Sequence, residues 1–135
     1  DRCHQEIEKK MKEYQMIPEA KEKILLHLMR HDFLNEERFS RSFARGKFRV
    51  KKWGKTRIVR ELKLREISQY NIALALKEIS EEDYYQTLDE LSEKRMRQLL
   101  SEKNLQKKRK KLADYLLYRG WESNLVWEKV KELIR

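Results

Sequence analysis

Apolar residues return along this chain in matching sets. Ile7, Met11 and Met16 stand at offsets of 0, +4 and +9. Ile58, Leu62 and Ile67 repeat those offsets, and so do Leu112, Leu116 and Trp121. The sets start 51 and then 54 residues apart. Two further offsets, +18 and +21, bring Leu25, Leu76 and Val130, then Leu28, Ile79 and Leu133. An apolar pair four residues apart marks one face of a helix, so each set predicts a helix, a short turn and a second helix. Pro18 suits the first turn of such a second helix, and Ser68 and Ser123 are its expected N-caps in the later copies. Gly120, at offset +8, reads as the residue that ends a helix in the left-handed region. Gln15 and Glu66 hold the same offset, where a side chain makes that conformation costlier.

A third helix follows in the first two copies. Asn35 and Ser80 are expected N-caps, each followed by two glutamates that favour the positive end of the helix dipole. Phe39 matches Tyr84 and Phe43 matches Leu88 as its core positions. The expected architecture is therefore all-α, an elongated and curved array of tandem three-helix repeats at 1–49, 50–104 and 105–135, the last one shortened. One repeat buries too little apolar surface to stand alone, so neighbours stack and offer an extended face rather than a deep pocket.

Composition excludes the alternatives. Gly and Pro together number four, and Val and Thr six, too few for the turns and strands of a sheet protein. No apolar run reaches the ~18 residues of a membrane span. The single cysteine and the lack of a leader-like opening predict a cytoplasmic protein. A start at Asp1 rather than Met predicts that residues precede it.

Charge changes the picture more. The net charge is +10. From Arg45 to Arg65 there are ten bases and one acid, Glu61; from Lys94 to Lys111 there are nine bases and one acid, Glu102. Blocks of this kind are footprints for a polyanion or an acidic protein groove. In the first block Arg45, Lys47, Arg49, Lys51, Lys52, Lys55, Arg57 and Arg60 alternate with Phe48, Val50 and Trp53. Trp53-Gly54 breaks the helix, and Gly54 or Thr56 restarts it. Arg57, Arg60 and Lys63 then share one side of the new helix, away from Ile58 and Leu62, where replacement is expected to cost little stability. Trp53 is expected to wedge between helices rather than stack on a base. In the second block Lys107, Lys108, Arg109 and Lys110 crowd together, with Leu105 the lone apolar residue from Ser101 to Lys111. Repulsion between like charges one turn apart predicts a frayed helix there, linking the second and third repeats.

Catalytic and metal signals are lacking. The three glycines are isolated, so no phosphate-binding or dinucleotide loop exists. Glu36-Glu37 and Glu81-Glu82-Asp83 fall at expected helix starts, where capping accounts for them. His27 and His31 are one turn apart, but only Cys3 and His4 could join them, and no metal or other cofactor is expected.

The segment FARGKFRVKKWGKTRIVREL with the following LREI, and the preceding FLNEERFSRSF, resembles the RecX family, as does the set of three-helix repeats. Trp53, Gly54, Ile58, Glu61 and Leu62 carry the most specific part of that resemblance. It implies a non-enzymatic, monomeric regulator that binds RecA and its filament on single-stranded DNA, with weak direct DNA binding and no membrane partner. It further implies limits on filament growth, strand exchange, ATP hydrolysis and the SOS coprotease step. The bases from Arg45 to Arg60 and from Lys107 to Lys110 become the expected filament-binding residues. Taken alone, the residues fit equally a direct nucleic-acid binder built from helix-turn-helix-like repeats.

Overall fold

The computed structural model describes residues 35–135. The first-copy positions Ile7 to Leu28, Pro18, and the Cys3, His4, His27 and His31 set lie outside the described residues. Among those described, roughly three quarters are helical and none is in a strand. The elements are α1 (35–46), a π-helical turn at Lys47–Lys51, α2 (Lys55–Leu64), α3 (Gln69–Leu76), α4 (Glu81–Gln98), α5 (Leu105–Tyr118) and α6 (Ser123–Leu133).

Local chemistry sets most of these limits. Ser68 Oγ accepts from Asn71 N at 3.2 Å and Ser80 Oγ from Asp83 N at 3.1 Å, so both expected caps are formed. Glu81, Glu82 and Asp83 occupy the first turn of α4, and Arg95 and Arg97 the last, each matched to the dipole. The repeated triplets are buried as their spacing requires. Ile58, Leu62, Leu112 and Leu116 are fully buried, and Ile67 and Trp121 nearly so. The later offsets agree less well, because α3 ends at Leu76 whereas α6 runs on to Leu133. Ile79 and Val130 are buried, while Leu76 and Leu133 are half-buried.

Three expectations are corrected. Asn35 is itself helical rather than a cap. Ser123 is the first residue of α6, and the capping position belongs to Glu122, whose side chain makes no capping bond because it serves Tyr84 instead. The stretch from Ser101 to Lys111 is not one helix. The chain leaves α4 after Gln98 and restarts at Leu105, where Asn104 Oδ1 accepts from Lys107 N at 3.1 Å. Two ion pairs offset the repulsion among the bases, Lys111 with Glu102 at 2.8 Å and Lys110 with Asp114 at 2.7 Å. The hydrogen bond from Lys111 holds the Glu102 carboxyl below its ordinary pKa.

Gly120 is left-handed, with φ of 87°, and Glu66 at the same offset is left-handed too, with φ of 59°. The repeat therefore keeps one turn conformation with either residue. A side chain in that region costs ~1–2 kcal/mol, partly cancelled by the chain entropy that glycine loses on folding. Glu66→Gly is expected to stabilise the fold by up to ~1 kcal/mol, read as a raised melting temperature. A lowered one would show that the Glu66 side chain contributes more than its backbone strain.

The described residues divide between two compact bodies, one of 35–45 and 60–78, the other of 46–59 and 79–135. In the first, Ala44, Leu62, Ile67, Ile72 and Ala75 are buried. Its surface is tied by Arg41 to Glu37 at 2.9 Å and to Glu78 at 3.1 Å, and by Glu36, which accepts from Ser68 N at 2.9 Å. Arg65 pairs with Glu61 and lies over the Phe43 ring. In the second body, Phe48, Ile58, Tyr84, Leu112, Leu116, Trp121 and Val126 form the core.

Candidate binding surface

The basic loop between α1 and α2 lies in the second body and is held from below by backbone. The π-turn ends at Lys52, which is left-handed with φ of 59° and bonds through its N–H to Phe48 O at 3.1 Å. The Lys52 carbonyl accepts from Trp121 Nε1 at 3.1 Å. Gly54 N donates to Arg119 O at 2.8 Å and Thr56 N to Gly120 O at 3.0 Å, while the Gly54 carbonyl accepts from Ile58 N as α2 begins. Two backbones thus cross glycine to glycine. A Cβ on Gly54 would stand 2.4 Å from Gly120 O, and one on Gly120 would stand 2.0 Å from Arg57 Cβ. No side chain fits at either place.

Tyr84 locks the crossing from inside. Its hydroxyl accepts from Lys55 N at 2.8 Å and donates to the Glu122 carboxylate. Its ring stacks on Trp121 at 4.3 Å and lies 5.9 Å from Phe48. Burial, reinforced by Glu122, pushes the phenol far above its ordinary pKa, so it remains a donor at every ordinary pH.

On this base the sequence-derived cations are sorted by their partners. Among the described residues, no carboxylate stands within ion-pair distance of Arg49, Lys51, Lys52, Lys55, Arg57 or Arg60. Arg49 and Lys51 are exposed on the π-turn, and Arg60 is exposed on α2. Lys52 and Lys55 are half-buried, with Lys55 Nζ 4.6 Å over the Tyr84 ring. Arg45 belongs to the first body and pairs with Glu78 at 3.5 Å. In the second block, Lys110 pairs with Asp114 and Arg109 Nε donates to Ile134 O at 3.3 Å. Among the described residues Lys107 and Lys108 stand without ion pairs, Lys107 exposed.

Arg57 departs from expectation. Its guanidinium lies 4.2 Å from the Trp53 ring centre and 5.1 Å from that of Tyr118, and NH1 donates to Tyr118 O at 3.1 Å. Its Nε is buried with no acceptor. Arg57 is a packed residue that closes the end of α5, and replacing it costs structure as well as charge. Trp53 is half-buried and offers its ring to Arg57 and to Lys47, whose Nζ is 5.1 Å from the centroid. Ile58 and Leu62 are fully buried, and Glu61 is held by Arg65 at 3.1 Å.

Sequence reasoning missed Tyr118, Arg119 and Glu122. Trp121 and Gly120 carried a signal in the repeat, but the other three reach the loop only through space. Among the described residues, no three His, Cys, Asp or Glu side chains come together as metal ligands, and no helix is long and apolar enough to cross a membrane.

Family models described as the second and third three-helix domains of RecX match residues 35–76 and 81–130. These intervals open on α1 and α4. No curated protein and no solved structure matches the chain.

Proposed function

The chain belongs to the RecX family, and from that premise we propose that it is a negative modulator of the RecA recombinase. On this reading it binds RecA and the RecA filament on single-stranded DNA, in the cytoplasm, and catalyses nothing itself. Filament growth, strand exchange, ATP hydrolysis and SOS coprotease activity fall as a result.

The observation that carries the reading is the set of unpaired cations on a fixed loop. Among the described residues Arg49, Lys51, Lys52 and Lys55 have no carboxylate of their own, whereas Arg41, Arg45, Arg65, Lys110 and Lys111 each have at least one. Cations left without partners on a fixed backbone attract an acidic surface without a backbone-ordering cost. A nucleoprotein filament offers phosphate and protein carboxylate together.

The test is DNA-dependent ATP hydrolysis by RecA with increasing amounts of this chain. Hydrolysis is expected to fall, and the effect to weaken as salt rises, because screening acts on exposed charges. Undiminished hydrolysis at saturating chain and low salt would make the reading wrong.

A further inference from the structure

We propose that Tyr118 is a stacking platform for a base of single-stranded nucleic acid, set among the unpaired cations around the Gly54–Gly120 crossing. This rests on the filament reading only in part, since it requires the strand to bind in the absence of RecA.

Tyr118 is the last residue of α5, and 72% of it is exposed. A tyrosine in a folded protein usually buries its ring or engages its hydroxyl. This one does neither, for its hydroxyl makes no hydrogen bond among the described residues. The ring is nevertheless held in place. Arg57 supports it at 5.1 Å while bonding to the carbonyl of the same residue, and the same guanidinium lies 4.2 Å from the Trp53 ring. An exposed ring anchored by a guanidinium that also contacts a second ring is a preorganised surface for a flat π-system.

The surroundings fit the rest of a nucleotide. Gly54 N bonds to the carbonyl of Arg119, the next residue after Tyr118, which brings the backbone between Lys52 and Arg57 to the end of α5 that carries the ring. Among the described residues Lys52, Lys55 and Arg57 have no carboxylate partners. Surfaces that hold single strands combine these two elements, aromatic rings for bases and cations for phosphates. An acidic protein groove would use the cations and leave the ring idle. Duplex DNA keeps its bases stacked on each other and offers no free face.

The test uses the whole chain and fluorescent oligo(dT), an abasic strand of equal length, and a duplex. Tyr118→Ala retains the carbonyl that Arg57 binds. It is expected to weaken oligo(dT) binding roughly ten-fold, leave the abasic strand and duplex unchanged, and keep the slope of affinity against salt, because no charge is lost. Tyr118→Phe is expected to bind like the parent, and Tyr118→Trp more tightly. The proposal is overturned if the parent does not bind oligo(dT), if Tyr118→Ala binds it like the parent, if all three ligands weaken together, or if Tyr118→Trp gains nothing. These arms contain no RecA. Their failure leaves the filament reading standing, and lost RecA inhibition with intact oligo(dT) binding would overturn that reading alone.

Discussion

Gly120→Ala and Gly54→Ala are each expected to lower the melting temperature by more than ~10 °C. The added methyl on Gly120 would lie 2.0 Å from Arg57 Cβ and 2.6 Å from Arg57 N, inside any contact distance, on a backbone with φ of 87°. That on Gly54 would meet the Gly120 carbonyl and Trp121 Cα at 2.4 and 2.5 Å. Overpacking costs ~1–3 kcal/mol, and the left-handed backbone adds ~1–2 kcal/mol at Gly120. A body of this size loses roughly 4–8 °C per kcal/mol, and total stabilities are only ~5–15 kcal/mol. The two costs should not add in the double variant, because the first methyl already separates the backbones that the second would strike. Thermal melts within a few degrees of the parent would show that the crossing opens freely. Since it carries Lys52 to Arg57, these variants are expected to lose binding as well, and so report on the fold rather than on the binding face.

Arg49→Glu with Lys51→Glu is the cleaner probe of that face. Both residues are exposed on the π-turn and have no ion-pair partner among the described residues, so stability should stay within roughly ±0.5 kcal/mol. The double reversal changes the local charge by four units in the region that attracts a polyanion. Half-inhibition of RecA ATP hydrolysis is expected to need at least ~10-fold more protein, mostly through slower association, with a flatter response to salt. Arg57→Glu would confound the reading, because it also removes the stack with Trp53 and the bond to Tyr118 O. A double variant that melts like the parent and inhibits like it would place the binding face elsewhere.

Features that neighbours along the chain decide were legible in the residues alone. Ile58 and Leu62, or Leu112 and Leu116, lie on one helix face because 3.6 residues make a turn, and the structure buries all four. Ser68 and Ser80 cap because a short hydroxyl reaches a backbone N–H three residues on. The scarcity of glycine, proline, valine and threonine pointed away from a sheet, and none occurs among the described residues. Asn104 carried the same signal as those serines and was obscured by the bases that follow it.

Other features depend on partners distant in sequence and emerged with the fold. Ser123 looked as good a cap as Ser68, yet the capping position fell to Glu122, whose carboxylate meets Tyr84 thirty-eight residues away. Arg57 and Lys51 look alike in a string of bases, but one packs against both Trp53 and Tyr118 while the other is exposed. Glu66 accepted the left-handed turn that its offset shares with Gly120. Gly120 admits no substitute, because the start of α2 lies against it and no side chain separates the two backbones. Helix periodicity and capping act over three or four residues and so are written in the sequence. Which cation keeps its charge free, and which glycine bears a crossing, is set by what packs against it through space.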